Sequence, residues 1–490
     1  MSGYLTIITF LPLLGAIVTA LIPGRNERAV KFSAAGFSLV ALLLSLVVAV
    51  QFDPSKSGLQ FVEKLPWIPQ LGVSYFVGID GLNLPMVVLT TLLTLLAVLA
   101  SWNIKPNPKE YFALILLLEV GILGVFVSLD LLLFFLFWEV ELIPMYLLIA
   151  KWGGPRREYA AIKFVLYTLA GSALMLTGIL ALYYASGAKT FDMFELAKTP
   201  YATLYGAAFQ TVVFFLLWTG FAIKLPVFPF HTWLPDAHVE APTAVSVILA
   251  GVLLKMGGYG MIRINMSLLP GAAREYAWLL GTLAVISIIY GAGLSMVQND
   301  LKKMVAYSSV SHMGYVLLGF AALTSLSVNG AMLQMFTHGT ITGLLFLLVG
   351  VIYDKAHTRQ ISDFGGLATK MPFYAVLFTM AGLASLGLPG MSGFVAEFLV
   401  FVGSFASLPW LTAIGAAGIV ITAGYLLWMI QRVFFGPLVP KWAHLEDARG
   451  LEAVPLVCLM AVVILVGVYP GIITGIISSG VAPVVAKLGL

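Results

Sequence analysis

A single cysteine, Cys458, stands in the chain, inside an apolar run, so no intrachain disulfide can form and no Cys-based metal or cluster site exists. Charge is nearly as scarce. Only 10% of residues are Asp, Glu, Lys or Arg against 60% hydrophobic, and mean hydropathy is +1.01. These proportions exclude the two or three soluble domains that 490 residues would otherwise allow and define an all-α polytopic membrane protein. No phosphate-cradling glycine loop, metal-ligand spacing or nucleophile constellation is present, which leaves ion movement as the chemistry the residues can perform. Low-complexity segments are missing as well. The first apolar run, Tyr4 to Pro23, has no basic residue ahead of it and no small-residue cleavage motif, so it is expected to be retained as a span. Net charge of +4 identifies no partner, and nucleic acid is not expected as one.

What is present is apolar runs. Crossing the hydrocarbon takes about 20 such residues, and fourteen runs qualify, centred near residues 14, 40, 92, 120, 141, 174, 221, 254, 286, 312, 341, 389, 422 and 463. The basic residues test this count, because a missed span would scramble their alternation. With the N-terminus outside, inward loops hold 16 of them, including Arg25, Arg28, Lys31, Arg156, Arg157, Lys302, Lys303 and Arg359. Outward loops hold 7, among them Lys64, Lys189, Arg263 and Lys487. The bias places both termini outside, on the periplasmic side of a cell inner membrane. The two long outward stretches, 51–79 and 186–204, read as ordinary connecting loops.

The layout repeats. Spans 4 to 8 (residues 111–265) and spans 9 to 13 (276–435) each form a five-span unit, between an N-terminal group of three spans (1–110) and a C-terminal span (451–490). In each unit the fourth span is long and interrupted, at Lys224-Leu225-Pro226 in span 7 and at Gly387-Leu388-Pro389-Gly390 in span 12. An odd span count inverts the second unit relative to the first. Inverted units with paired broken helices are the layout of secondary transporters.

Sorting the charges leaves Lys163, Lys224 and Lys255, with Glu119, Glu139, Glu141 and Glu397, inside spans. An ammonium at mid-bilayer costs from about 3 to more than 10 kcal/mol, so each is a functional candidate. Glu139, Lys224, Lys255, His312, His338 and Glu397 all fall well inside spans 5, 7, 8, 10, 11 and 12; Glu139, Lys224, Lys255, His312 and Glu397 make a candidate proton relay, with His231 and His338 as further candidates. A Glu and a Lys that exchange partners can load and release a proton. A Glu139–Lys224 pair could instead be static, and Lys255 could simply snorkel. Glu141 is about 200° round the helix from Glu139, so it is expected to meet a neighbouring helix or subunit. His312 and His338 could in principle ligate a haem; His231 and His238 could gate or cap the half-helices.

At Phe137-Trp138-Glu139, Leu142-Ile-Pro144-Met-Tyr146 and His231-Thr-Trp-Leu-Pro-Asp-Ala-His-Val-Glu-Ala-Pro242 the chain resembles the antiporter-like M subunits (chain 4) of NADH-quinone oxidoreductase, respiratory complex I. The resemblance continues through Leu253 to Gly258, Leu301 to Tyr315 and Leu388 to Glu397. It implies fourteen helices with broken helices 7 and 12, and a relay of Glu139, Lys224, Lys255, His312 and Glu397, with Glu397 near the far-side exit. It further implies a translocase subunit that couples quinone reduction elsewhere to proton pumping. Its partners would be other membrane subunits, above all neighbouring antiporter-like ones, with the lipid bilayer. It implies no cofactor in this chain, and quinone, FMN and iron-sulfur clusters in others. Two positions depart from the pattern: Glu141 stands where an apolar residue is usual, and Ala244-Val-Ser replaces Ala-Gly-Ser. A subunit of a multisubunit sodium/proton antiporter is the alternative, since that class shares the helices.

Overall fold

The structure is a computed structural model and describes residues 3–56 and 58–488. In chain order it runs α1 (Tyr4–Leu21), α2 (Glu27–Gln51), β1 (Gln60–Ile68), β2 (Val73–Ile79), α3 (Leu84–Ala100), α4 (Pro108–Val127), α5 (Leu131–Val140), α6 (Leu142–Trp152), α7 (Arg157–Ser186), α8 (Met193–Leu196), α9 (Tyr201–Lys224) and α10 (Trp233–Glu240). Next come α11 (Thr243–Ile248) and α12 (Leu254–Gly260), joined by a π-helical turn at Leu249–Leu253 and followed by another at Met261–Met266. The rest is α13 (Pro270–Glu275), α14 (Ala277–Met296), α15 (Leu301–Ala321), α16 (Ser325–Ala356), α17 (Pro372–Ser385), α18 (Ser392–Phe405), α19 (Pro409–Phe434), α20 (Ala453–Val468) and α21 (Gly471–Lys487).

Among the described residues eleven helices are long and apolar enough to cross a membrane, and α3, α17, α18 and α21 are shorter apolar helices. The chain is thus a helical, multi-pass membrane protein. Helix starts follow local chemistry. Asp130, Asp300 and Thr324 accept hydrogen bonds from the free backbone N–H groups of α5, α15 and α16. Proline opens α3, α4, α17 and α19, where its missing N–H costs nothing.

The most apolar windows of the Thr243–Met266 stretch and of α16 are wholly buried, whereas α1 and α2 keep most of theirs on the outside. The molecule therefore has a protein-lined middle and a lipid-facing rim. α16, at 32 residues, is about 48 Å long and packs against α15, α18, α20 and α21.

Two expectations fail here. The 51–79 segment is no plain loop: β1 and β2 form an antiparallel hairpin, turned at Gly72 with φ +68°. Glu63 of β1 accepts hydrogen bonds from Leu5 N at 2.9 Å and Thr6 N at 3.3 Å, which satisfies free N–H groups of α1. Lys64 bonds Asp192 at 2.6 Å, and so ties the hairpin to the 186–204 segment, itself ordered around α8. The C-terminal region expected as a single span is two helices, α20 and α21, parted at Tyr469-Pro470.

Candidate ion-translocation site

α9 ends at Lys224 because Pro226 cannot donate the next helical hydrogen bond. Val227 N reaches back to Ala222 O at 2.9 Å, and Trp233 Nε1 donates to Ile223 O at 2.9 Å, so the interrupted carbonyls keep partners without water. Gly257 makes the break approachable: a Cβ there would lie 2.5 Å from Phe221 O and 2.7 Å from Leu225 N. The Lys224 ammonium is buried and paired with the Glu141 carboxylate, between the rings of Trp138 and Phe164 at 5.4 and 5.3 Å.

The expected partner was Glu139, and the structure corrects it. The two glutamates do lie on different faces, but the inward face is that of Phe137, Trp138, Glu141, Leu142 and Met145. Glu139 is half-buried beside exposed Val140 and Ile143, and its Oε1 has no partner. The helix also turns at Glu141, between α5 and α6, three residues before Pro144. Lys224 faces neither Glu139 nor Lys255.

Lys255, on α12, bonds the Ala250 carbonyl exposed by the π-helical turn and His338 Nδ1 at 2.7 Å. His338 lies next to His312, ring centroids 5.6 Å apart. His312 in turn places Nδ1 2.7 Å from Ser308 O and Nε2 3.0 Å from Ser385 O, with Glu397 Oε1 3.7 Å beyond. Lys255, His338, His312 and Glu397 thus form one buried polar line. Gly387, at φ +82°, borders it: a Cβ there would meet Glu397 Oε2 at 2.8 Å. A cavity of about 10 Å³ lies among His312, His338, Gln334, Ser385 and Glu397, room for about one water and none for a haem.

His231 is buried beside Phe228 and Tyr290. His238 is fully buried, stacked on Phe346 at 4.6 Å, with both ring nitrogens unpartnered. Lys163 is not free in its span: it bonds Asp236 of α10 at 2.8 Å. Glu119 is wholly buried with neither oxygen bonded.

Sequence reasoning missed two buried cations. Lys302, assigned to a loop, is buried and bonded to Ala241 O. Arg263, also assigned to a loop, donates Nη2 to both Asp80 oxygens at 2.6 Å. Asp80 lies 183 residues away, so no local signal could have paired them.

A buried Lys–Glu pair at the end of α9, and a separate buried line from Lys255 through His338 and His312 to Glu397, are the groups an antiporter-like membrane protein needs. Residues 128–422 match the sequence model of the NADH:quinone oxidoreductase/Mrp antiporter transmembrane region, and residues 9–127 match that of the NADH-ubiquinone oxidoreductase chain 4 amino terminus. NADH-quinone oxidoreductase subunit M of Rhodobacter capsulatus is 44% identical over 99% of this chain and 97% of its own. A chain of respiratory complex I from Thermus thermophilus superposes with a TM-score of 0.90 at 31% identity, covering 99% of both chains. A chain of the Mrp complex from Dietzia sp. shares the fold, with a TM-score of 0.85 at 23% identity over 99% of this chain and 55% of that one. The chain belongs to the subunit M (chain 4) family of NADH-quinone oxidoreductase.

Proposed function

We propose that this chain is the proton-translocating, antiporter-like membrane subunit of an NADH-quinone oxidoreductase, and that it couples quinone reduction elsewhere in the complex to proton movement. The observation that carries the reading is the buried line of ionisable groups, Glu141 with Lys224 and then Lys255, His338, His312 and Glu397, in a chain matching subunit M from end to end. Glu139 and His231 belong to the relay as outlying members. The chain takes part in an enzyme complex and does no redox chemistry of its own; quinone, FMN and iron-sulfur clusters belong to other subunits.

The fine architecture belongs to the same proposal. It comprises fourteen spans, two inverted five-helix units over 111–265 and 276–435, and helices broken at Pro226 and Pro389, flanked by regions 1–110 and 451–490. Both termini lie on the periplasmic side of the inner membrane, and the lateral partners are neighbouring antiporter-like subunits. A sodium/proton antiporter subunit fits less well, because the Mrp chain is matched over 55% of its length at 23% identity.

Lys224 must switch between holding Glu141 and releasing it. Driving one charge against the membrane potential takes about 2.3 kcal/mol per 100 mV, so the pair must weaken by at least that much between states. Lys224→Arg keeps the charge but cannot give up a proton. In the intact complex it is expected to abolish pumping. Normal proton release with wild-type quinone reduction would make Lys224 structural and defeat the mechanism.

A further inference from the structure

The helical stretch Thr243–Met266, which carries Lys255, has its two ends in cavities on opposite faces of the molecule. Thr243 and Ala244 line a cleft of about 630 Å³ together with Glu240, Lys302 and Arg359. At the other end Arg263, and Ser267 just beyond it, line a cavity of about 80 Å³ with Asp80, Ser479 and Lys487. Leu59, next to the hairpin, and Met193 border this second cavity, which fixes it to the hairpin face. Its volume holds several waters.

Between Lys255 and Arg263 at that cavity stands one polar side chain, Tyr259, where the membrane gives no reason for one. Lys255, Tyr259 and Arg263 recur at intervals of four and are all buried. Arg263 Nε donates to the Tyr259 hydroxyl at 3.0 Å while its Nη2 holds Asp80. Tyr259 leans on Phe126 of α4, ring centroids 5.5 Å apart, so its hydroxyl has a fixed position. Asp80 does not depend on Arg263 for its own placement: Leu82 N and Asn83 N donate to Oδ1 at 2.9 and 3.3 Å. A buried ion pair is a poor way to gain stability, since apolar residues of similar volume do as well or better. The π-helical turn at Met261–Met266 contains Arg263, and such turns concentrate at functional positions.

We propose that Tyr259, Asp80 and Arg263 form a separate proton outlet for the first unit, leading from Lys255 to the hairpin face without passing His312 or Glu397. A proton leaving the Lys255 ammonium reaches the Tyr259 oxygen through water. Tyr259, whose hydroxyl contacts Arg263 and not Asp80, passes its own hydroxyl proton to water and is left neutral. Asp80 takes a proton from that water, and as a neutral acid it loosens its hold on Arg263. Loss of the proton to cavity water restores the carboxylate, and Arg263 closes over it again. Arg263 is thus a latch, and Asp80 the group that is loaded and emptied. The proposal rests on the reading that Lys255 carries a translocated proton.

The test uses the intact complex in sealed vesicles, with proton release measured against quinone reduced. Tyr259→Phe keeps the ring seated and removes only the hydroxyl; a several-fold fall in protons released per quinone, at wild-type levels of assembled complex, is expected. An unchanged ratio overturns the outlet. Independently, Ser479→Cys in a Cys458→Ala background is expected to react with a membrane-impermeant thiol reagent supplied from the hairpin face and not from the other. No reaction there means the cavity is closed to water and also overturns it. Lys255→Met, run in parallel, separates the two levels. If it still pumps, the reading of Lys255 fails, whereas a dead Lys255→Met beside a normal Tyr259→Phe refutes the outlet alone.

Discussion

Glu139 and Glu141 are two residues apart, and their neighbourhoods make opposite claims on them. Glu141 is sealed from water against Lys224; Glu139 looks toward the rim with an unsatisfied oxygen. Glu141→Gln leaves an uncompensated ammonium in the core, a loss on the order of 3–5 kcal/mol. Glu139→Gln removes no partner and is expected to stay within about 1 kcal/mol. Thermal unfolding of the two purified variants compares them directly, and equal losses would contradict the pairing. The sequence could not choose between the carboxylates because α5 and α6 are apolar on every side, so no polar stripe marks which face is inward. The lysine and the histidines were readable for the contrary reason: a charge or ring nitrogen stands out against hydrocarbon wherever it points. What stayed hidden was each one's partner, which depends on helices far apart in the chain.

Breaks and caps decide how the elements sit. The Leu-Pro interruptions at 225–226 and 388–389 were legible from proline chemistry, and the structure ends α9 and α17 beside them. The β hairpin left one mark in the sequence, the Pro69 to Gly72 turn, but Val73 to Val77 lacks a polar–apolar alternation, so the segment passes for a loop. Asp130, in the turn between α4 and α5, ties hairpin to helix: it accepts from Leu132 N and Leu133 N through Oδ1 and from Ser74 N through Oδ2, at 3.0 to 3.1 Å. Burial pushes its carboxyl above the ordinary range, and these backbone hydrogen bonds only partly oppose it. The ionised form is therefore the disfavoured one in the folded state. The stability contributed by the protonated form is fully present below the unfolded Asp value and is lost as pH rises through the raised one. Asp130→Asn keeps an oxygen for the helix cap and cannot ionise. Melting curves from about pH 3 to about pH 6, spanning the ordinary Asp value, should show wild type losing stability relative to the variant as pH rises. A gap that widens in the opposite direction would mean the carboxylate is the favoured form.

Over the whole molecule, burial is graded from rim to middle. α16 and the Thr243–Met266 stretch are enclosed, while α1, α2 and α20 face outward over much of their surface. Amide hydrogen exchange in the detergent-solubilised protein should follow that grading, slowest in α16 and faster in α1 and α2. Within the enclosed Thr243–Met266 stretch, the π-helical turns at Leu249–Leu253 and Met261–Met266 should exchange faster than α12 between them. Uniform protection along it would mean the wide turns are as rigid as the α-helix and give no play to Lys255 or Arg263. The Glu63 contact has a consequence of another kind, in the order of events on the ribosome. The amides of Leu5 and Thr6 wait for a carboxylate made 58 and 57 residues later, after α2 has been synthesised. The first two helices must therefore enter the bilayer before the start of the first is locked, which happens only when the chain beyond α2 has folded back as the hairpin.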